Sequence, residues 1–148
     1  MDYIKETVKE IVKKYGTNDP FELCSFMDVF VFYPELPPNV KGFYYCVGGY
    51  KIVGINGELD NESRRIVCAH ELGHSVMHPD MNVFFASDHT NLVEGKYERE
   101  ADFFCACLLI DDNKLDSLIS ENEQLTVGTV SSICALPENV VRLWISNK

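Results

Sequence analysis

The sequence predicts an α+β fold in which a small antiparallel sheet packs on helices, and three observations carry that expectation. Apolar residues recur at helical spacing near both ends and through the middle of the chain. Two runs rich in aromatic and β-branched residues flank Gly48-Gly49, the mark of a hairpin. The 148 residues, 46% hydrophobic, suffice for one core and contain no repeat or low-complexity linker.

The elements follow in chain order. From Tyr3 to Lys14, Ile4, Val8, Ile11 and Val12 are spaced among charged residues, and Gly16 stops the helix. Pro20 opens a second helix that runs to Phe26. Val29–Phe32 reads as a strand, followed by a loop with Pro34, Pro37 and Pro38. Phe43–Val47 and Tyr50–Ile55 form the hairpin, and one edge of this sheet is suited to align an extended peptide by backbone pairing. Asp60-Asn61-Glu62-Ser63 starts a helix that His78-Pro79 ends. From Glu94 to Ile110, Ala101, Cys105, Leu108 and Leu109 cluster on one helical face. Val127–Ile133 and Pro137–Ile145 are two short helices around Ala135-Leu136-Pro137, a C-terminal helical hairpin. The expected organisation is a single domain, 1–148: helices and sheet in 1–58, helices bearing the reactive residues in 59–110, and C-terminal helices in 111–148.

The reactive residues are His70-Glu71-Leu72-Gly73-His74. Positions i and i+4 share a helix face, so both imidazoles can converge on one cation with Glu71 beside them, the pattern of a zinc peptidase. A catalytic zinc takes three protein ligands and keeps one open position. The third is sought in Glu98-Arg99-Glu100-Ala101-Asp102. Glu98 falls on the apolar face of its helix and Glu100 towards the edge. A carboxylate aimed at an apolar interface is costly unless it is paired or holds a metal, so Glu98 is the better candidate and Glu100 the alternative. Replacing Glu100 should then be mild. Asp102 shares the face of Glu98 and can accept a hydrogen bond from a ligating imidazole.

His78 continues the four-residue spacing, but two helical turns separate it from His70 by about 12 Å, too far for both to reach one ion. It reads as a cation at the helix C-terminus or a satisfied core histidine. The oxyanion donor is not identified; Tyr97 and His89 lie in suitable regions and are better read as structural.

Further residues carry a resemblance over most of the chain. They are Asn18–Leu23, Val40–Tyr44, Ile55-Asn56, Cys68–His74 through His78-Pro79, and Glu98–Phe104. Together they resemble the ImmA/IrrE-type metallo-endopeptidases. The resemblance implies a gluzincin-like fold with a zincin-like helical core, Glu98 as the third ligand and Glu71 as general base. It also implies cleavage of a repressor or other DNA-binding regulator, often of a mobile element. Cys105-Ala106-Cys107 departs from the small alanine-rich residues usual there.

The expected cofactor is one Zn2+, with another divalent ion such as Mn2+ as the alternative. The expected partner is a protein substrate, a helix-turn-helix repressor of a mobile element or stress response; the oligomeric state is not legible. A net charge of −10 argues against direct nucleic-acid or anionic-membrane binding, and the C-terminal helices offer only Arg142 and Lys148. With no signal peptide or long apolar run, the expected location is the cytoplasm. Six cysteines without ligand spacing fit reduced, buried thiols. A binding module that sequesters or senses a regulator without cutting it is the rival reading. Glu71 argues for the enzyme, since hydrolysis needs a base beside the metal and binding alone does not.

Overall fold

The computed structural model describes residues 1–81, 83–86, 92–118 and 125–148. The chain folds as α1 (Asp2–Tyr15), α2 (Pro20–Phe26), β1 (Val29–Phe32), β2 (Val40–Val47), β3 (Tyr50–Ile55), α3 (Asn61–Met77), β4 (Val83–Ala86), α4 (Leu92–Leu109), α5 (Asp112–Leu118), α6 (Val127–Cys134) and α7 (Glu138–Ile145). The class is α+β, as the pattern of apolar residues predicts.

Local chemistry sets the helix ends. The Asp19 carboxylate accepts the N–H groups of Phe21 and Glu22, with Pro20 at the first helical position. The Asp60 carboxylate accepts Ser63 N–H at 2.8 Å and so starts the long helix α3. The Thr126 hydroxyl does the same for α6.

Strands β2 and β3 close through Gly48 and Gly49 at φ 55° and 82°, the positive values a two-residue turn between twisted strands demands. The sheet is mixed, not wholly antiparallel: its order is β1-β3-β2-β4, and β1 runs parallel to β3. The hairpin signature specifies only the β2–β3 pairing. The place of β1 depends on the loop 33–39, which the end of β3 secures. Gly57 N–H donates to Pro34 O at 2.9 Å, and the buried Asn56 amide donates to Val40 O at 2.9 Å. Strand β4, antiparallel to β2, was not expected; its short run Val83-Phe84-Phe85-Ala86 was the available signal.

One face of the sheet lies on α3. Tyr44 donates its hydroxyl to Pro79 O at 2.7 Å, and Lys51 donates to Ser75 O at 2.9 Å. On its other side α3 crosses α4 closely. A Cβ at Gly73 would stand 3.2 Å from both Ala101 Cα and Phe104 Cβ, so only a glycine lets the helices meet at this distance without displacement. Helices α1 and α7 flank α4, and one cluster of buried apolar residues runs from Ile4 to Trp144. The C-terminal helices form a hairpin whose Val140, Val141 and Trp144 are buried, so the apolar face of α7 serves packing. Among the described residues no helix is long and apolar enough to cross a membrane.

Candidate metal centre

Helix α3 buries its middle between sheet and α4, and this strip contains His70, Glu71 and His74, each at most 2% exposed. From α4, Glu98 meets both imidazoles. Its Oε2 stands 3.1 Å from His70 Nε2 and its Oε1 3.2 Å from His74 Nε2, while the two Nε2 atoms are 3.1 Å apart. Four ligands held tetrahedrally at zinc distances of about 2.0–2.1 Å would be about 3.3 Å from one another. The observed triangle is within about 0.2 Å of one face of that tetrahedron. Two imidazole nitrogens and one carboxylate oxygen are also the donor set that suits a borderline cation. The residues present therefore fit a divalent metal, and among the described residues theirs is the one cluster of this kind.

Burial alone would drive protons off His70, but hydrogen bonds to Asp102 and Glu98 outweigh it and hold its pKa up at about 10. His70 Nδ1–H donates to Asp102 Oδ1 at 2.9 Å, which fixes the ring and aims Nε2 at the cluster. Burial takes His74 the other way, to about 4, helped by the charge on His70 and opposed by Glu98. For Glu98 burial favours the neutral acid, yet the two imidazoles prevail and bring it down to about 2. A cation entering here would replace the proton that His70 shares with the two carboxylates.

Glu71 lies beside this cluster with both carboxylate oxygens buried and without a hydrogen-bond partner among the described residues. Burial pushes its pKa up to about 8; the field of His70 opposes this and that of Glu98 adds to it. The strand above it is Gly42 of β2. A Cβ there would meet Val67 Cγ1 at 2.6 Å, Gly54 O at 2.8 Å and Glu71 Oε1 at 3.3 Å, so the absence of a side chain leaves the carboxylate its room. Beside His70 and Asp102, apolar Ile66, Val67, Pro137 and Val140 together with Lys41 contribute to a half-enclosed cavity of about 200 Å³.

The structure brings together all five residues singled out in the sequence, namely His70, Glu71, His74, Glu98 and Asp102. It keeps His78 and Glu100 out of the triangle but links them to it. His78 Nδ1 stands 3.2 Å from His74 Nδ1, and His78 Nε2 stands 2.7 Å from Glu100 Oε2. Spacing accounts for the nearness of His78 to His74, but not for its contact with Glu100, which depends on how α4 lies across α3. Tyr97 packs its ring edge-on against His78, with centroids 4.6 Å apart. His89 lies outside the described residues.

Two comparisons bear on this site. A family model described as the IrrE N-terminal-like domain matches residues 24–126. The chain is 33% identical over 140 residues to the uncharacterized immunity region protein 2 of Bacillus phage phi105, covering 95% of this chain and 87% of that protein. It is 26% identical over 144 residues to the metallopeptidase ImmA of Bacillus subtilis (strain 168), covering 97% of this chain and 84% of that one. The family match contains the whole triangle and runs from Cys24, whose thiol lies 3.8 Å from that of Cys68 in α3, to Thr126 at the N-cap of α6.

Proposed function

Because the chain belongs to the IrrE N-terminal-like family of metallopeptidases, we propose that it is a zinc-dependent endopeptidase that hydrolyses a peptide bond in a helix-turn-helix repressor. The observation that carries this reading is the 3.1–3.2 Å triangle of His70, His74 and Glu98 beside a buried, unpartnered Glu71. A purely structural metal site has no use for a lone carboxylate buried at its edge, whereas hydrolysis requires one.

In this reading His70, His74 and Glu98 hold the zinc, and Asp102 orients His70. The chemistry zinc supplies when bound is polarisation of the scissile carbonyl and a water acidic enough to give up a proton near neutrality. Glu71 takes that proton as the water oxygen bonds to the carbonyl carbon. It then delivers the proton to the amine nitrogen as the C–N bond breaks, so a single carboxylate serves as base and then as acid. Strand β4 is an outer strand of the sheet beside β2 and Gly42, and an extended substrate segment adds to it by backbone pairing. The cavity beside His70 receives an apolar side chain next to the cut bond. A mobile-element setting is supported by the phage relative, whose name places it in an immunity region. The acidic chain, at −10, suits a substrate with the basic surface of a DNA-binding protein. Such a substrate places the enzyme in the cytoplasm.

The test is co-expression with the repressor-like protein encoded nearest to it, with wild type and Glu71→Gln side by side, followed by intact-mass measurement of the repressor. One cut that appears only with wild type supports the proposal and locates the bond. An uncut repressor that co-purifies with both forms would favour a module that binds without cutting.

A further inference from the structure

We infer that His78 and Glu100 are positioning residues for the metal: they form a relay that holds His74 in the ligating tautomer and orientation. The inference rests on the metal reading above. A histidine that binds a metal through one nitrogen usually donates its other N–H to a carboxylate, a carbonyl or water, and this partner fixes the ring. His70 has such a partner in Asp102, 2.9 Å from its Nδ1. The Nδ1 of His74 instead faces a second imidazole, His78 Nδ1, at 3.2 Å.

Two ring nitrogens at that distance hydrogen-bond only if one carries a proton and the other a lone pair. The requirement passes along the chain of contacts. His74 must offer a lone pair at Nε2 to hold a cation, so its proton sits on Nδ1 and is donated to His78 Nδ1. His78 is then left with its proton on Nε2, which faces Glu100 Oε2 at 2.7 Å. Glu100, an acceptor at that oxygen, gives this arrangement its sense. Tyr3 of α1 hydrogen-bonds to the same carboxylate. The relay is screened from water: His78 is 7% exposed, and Tyr97 covers one side of it. Each ligating imidazole thus leans on a carboxylate of α4, His70 directly on Asp102 and His74 through His78 on Glu100. This replaces the expectation that a change at Glu100 would be mild.

The experiment uses the full chain and compares wild type, Glu100→Ala, Glu100→Gln and His78→Phe. Zinc affinity is measured by competition with a chromophoric chelator, and the histidine tautomers of the zinc-loaded protein by long-range nitrogen–proton NMR. In wild type, His78 should carry its proton on Nε2. Glu100→Ala should raise the zinc Kd by about 10–100-fold and lose that tautomer preference. Glu100→Gln, whose amide oxygen can still accept from His78, should recover most of the affinity. His78→Phe should resemble Glu100→Ala while its helix content stays that of wild type. Zinc binding by Glu100→Ala within twofold of wild type, or His78 protonated on Nδ1 in the loaded wild type, would overturn the relay. A wild type that binds no zinc would overturn the metal reading along with it.

Discussion

Glu71 and Glu98 are buried carboxylates in the same site, yet their surroundings push them in opposite directions, to about 8 and about 2. Different roles follow, and mutation should separate them. Glu71→Gln should keep zinc affinity close to wild type while cleavage falls by roughly 10²–10⁴-fold, the usual weight of a general acid–base group. Glu98→Ala should lose zinc first; chelator competition and cleavage assayed on both variants check the pair. The same shifts set how the metal-free protein responds to pH. What His70 and Glu71 contribute is fully present below their ordinary values of 6.5 and 4.5, and is lost as pH rises through about 10 and about 8. What His74 and Glu98 contribute is present above 6.5 and 4.5, and is lost as pH falls through about 4 and about 2. The melting temperature of metal-free protein should therefore be level from about pH 4.5 to 6.5 and fall on either side. Calorimetry across that range checks it, and a melting temperature that climbs from pH 6.5 to 9 would contradict it. His70, Glu71 and His74 could be grouped from the sequence, and so could Glu98 with Asp102, because spacing along a single helix reports a shared face; that Glu98 meets the imidazoles rested on the cost of burying a lone carboxylate. The contact of His78 with Glu100 was not legible there, since it depends on how α4 lies across α3.

Among the elements, the crossing of α3 and α4 is the most exacting contact. Gly73 sits at its centre, and of the three atoms 3.2 Å from its missing Cβ, Ala101 Cα and Phe104 Cβ cannot swing away, while Phe104 Cδ1 belongs to a buried ring. Gly73→Val should cost about 1–3 kcal/mol, the range for forcing extra methyl groups into a packed interface. Because that interface carries the two imidazoles on one side and Glu98 on the other, zinc affinity should fall together with stability. Urea melts of the metal-free variant and its zinc Kd are the two measurements, and a stability loss with unchanged zinc Kd would mean the helices adjust elsewhere. Helix ends were well marked by Asp19, Asp60 and Gly16, and α2, β1 and β3 run as their side-chain patterns suggest. Strand β2 begins at Val40, ahead of Phe43: Lys41 and Gly42 interrupt the apolar pattern, and the pairing with β4 shifts register between Val40 and Gly42. Strand β4 is four residues long, too short for an alternation to stand out.

At the scale of the molecule, α+β class could be read from periodicity, but strand order could not. The parallel pairing of β1 with β3 is a non-local choice made by loop 33–39 and Asn56. A metal held by both α3 and α4 binds the folded chain and not the unfolded one, so it adds stability by mass action. At a free zinc concentration a hundredfold above Kd that amounts to about 2.7 kcal/mol. Chelation should thus lower the melting temperature by roughly 5–10 °C, given the 2–4 °C per kcal/mol typical of this size. An unchanged melting temperature on chelation would argue against zinc as a resident cofactor. The division of the triangle between two helices also bears on the order of events as the chain folds. His70 and His74 come into line as soon as α3 winds, on the microsecond scale of helix formation. Glu98 arrives only when α4 docks against α3. The three-donor site therefore exists only where the two helices have docked, and α3 alone offers a cation two of the three donors.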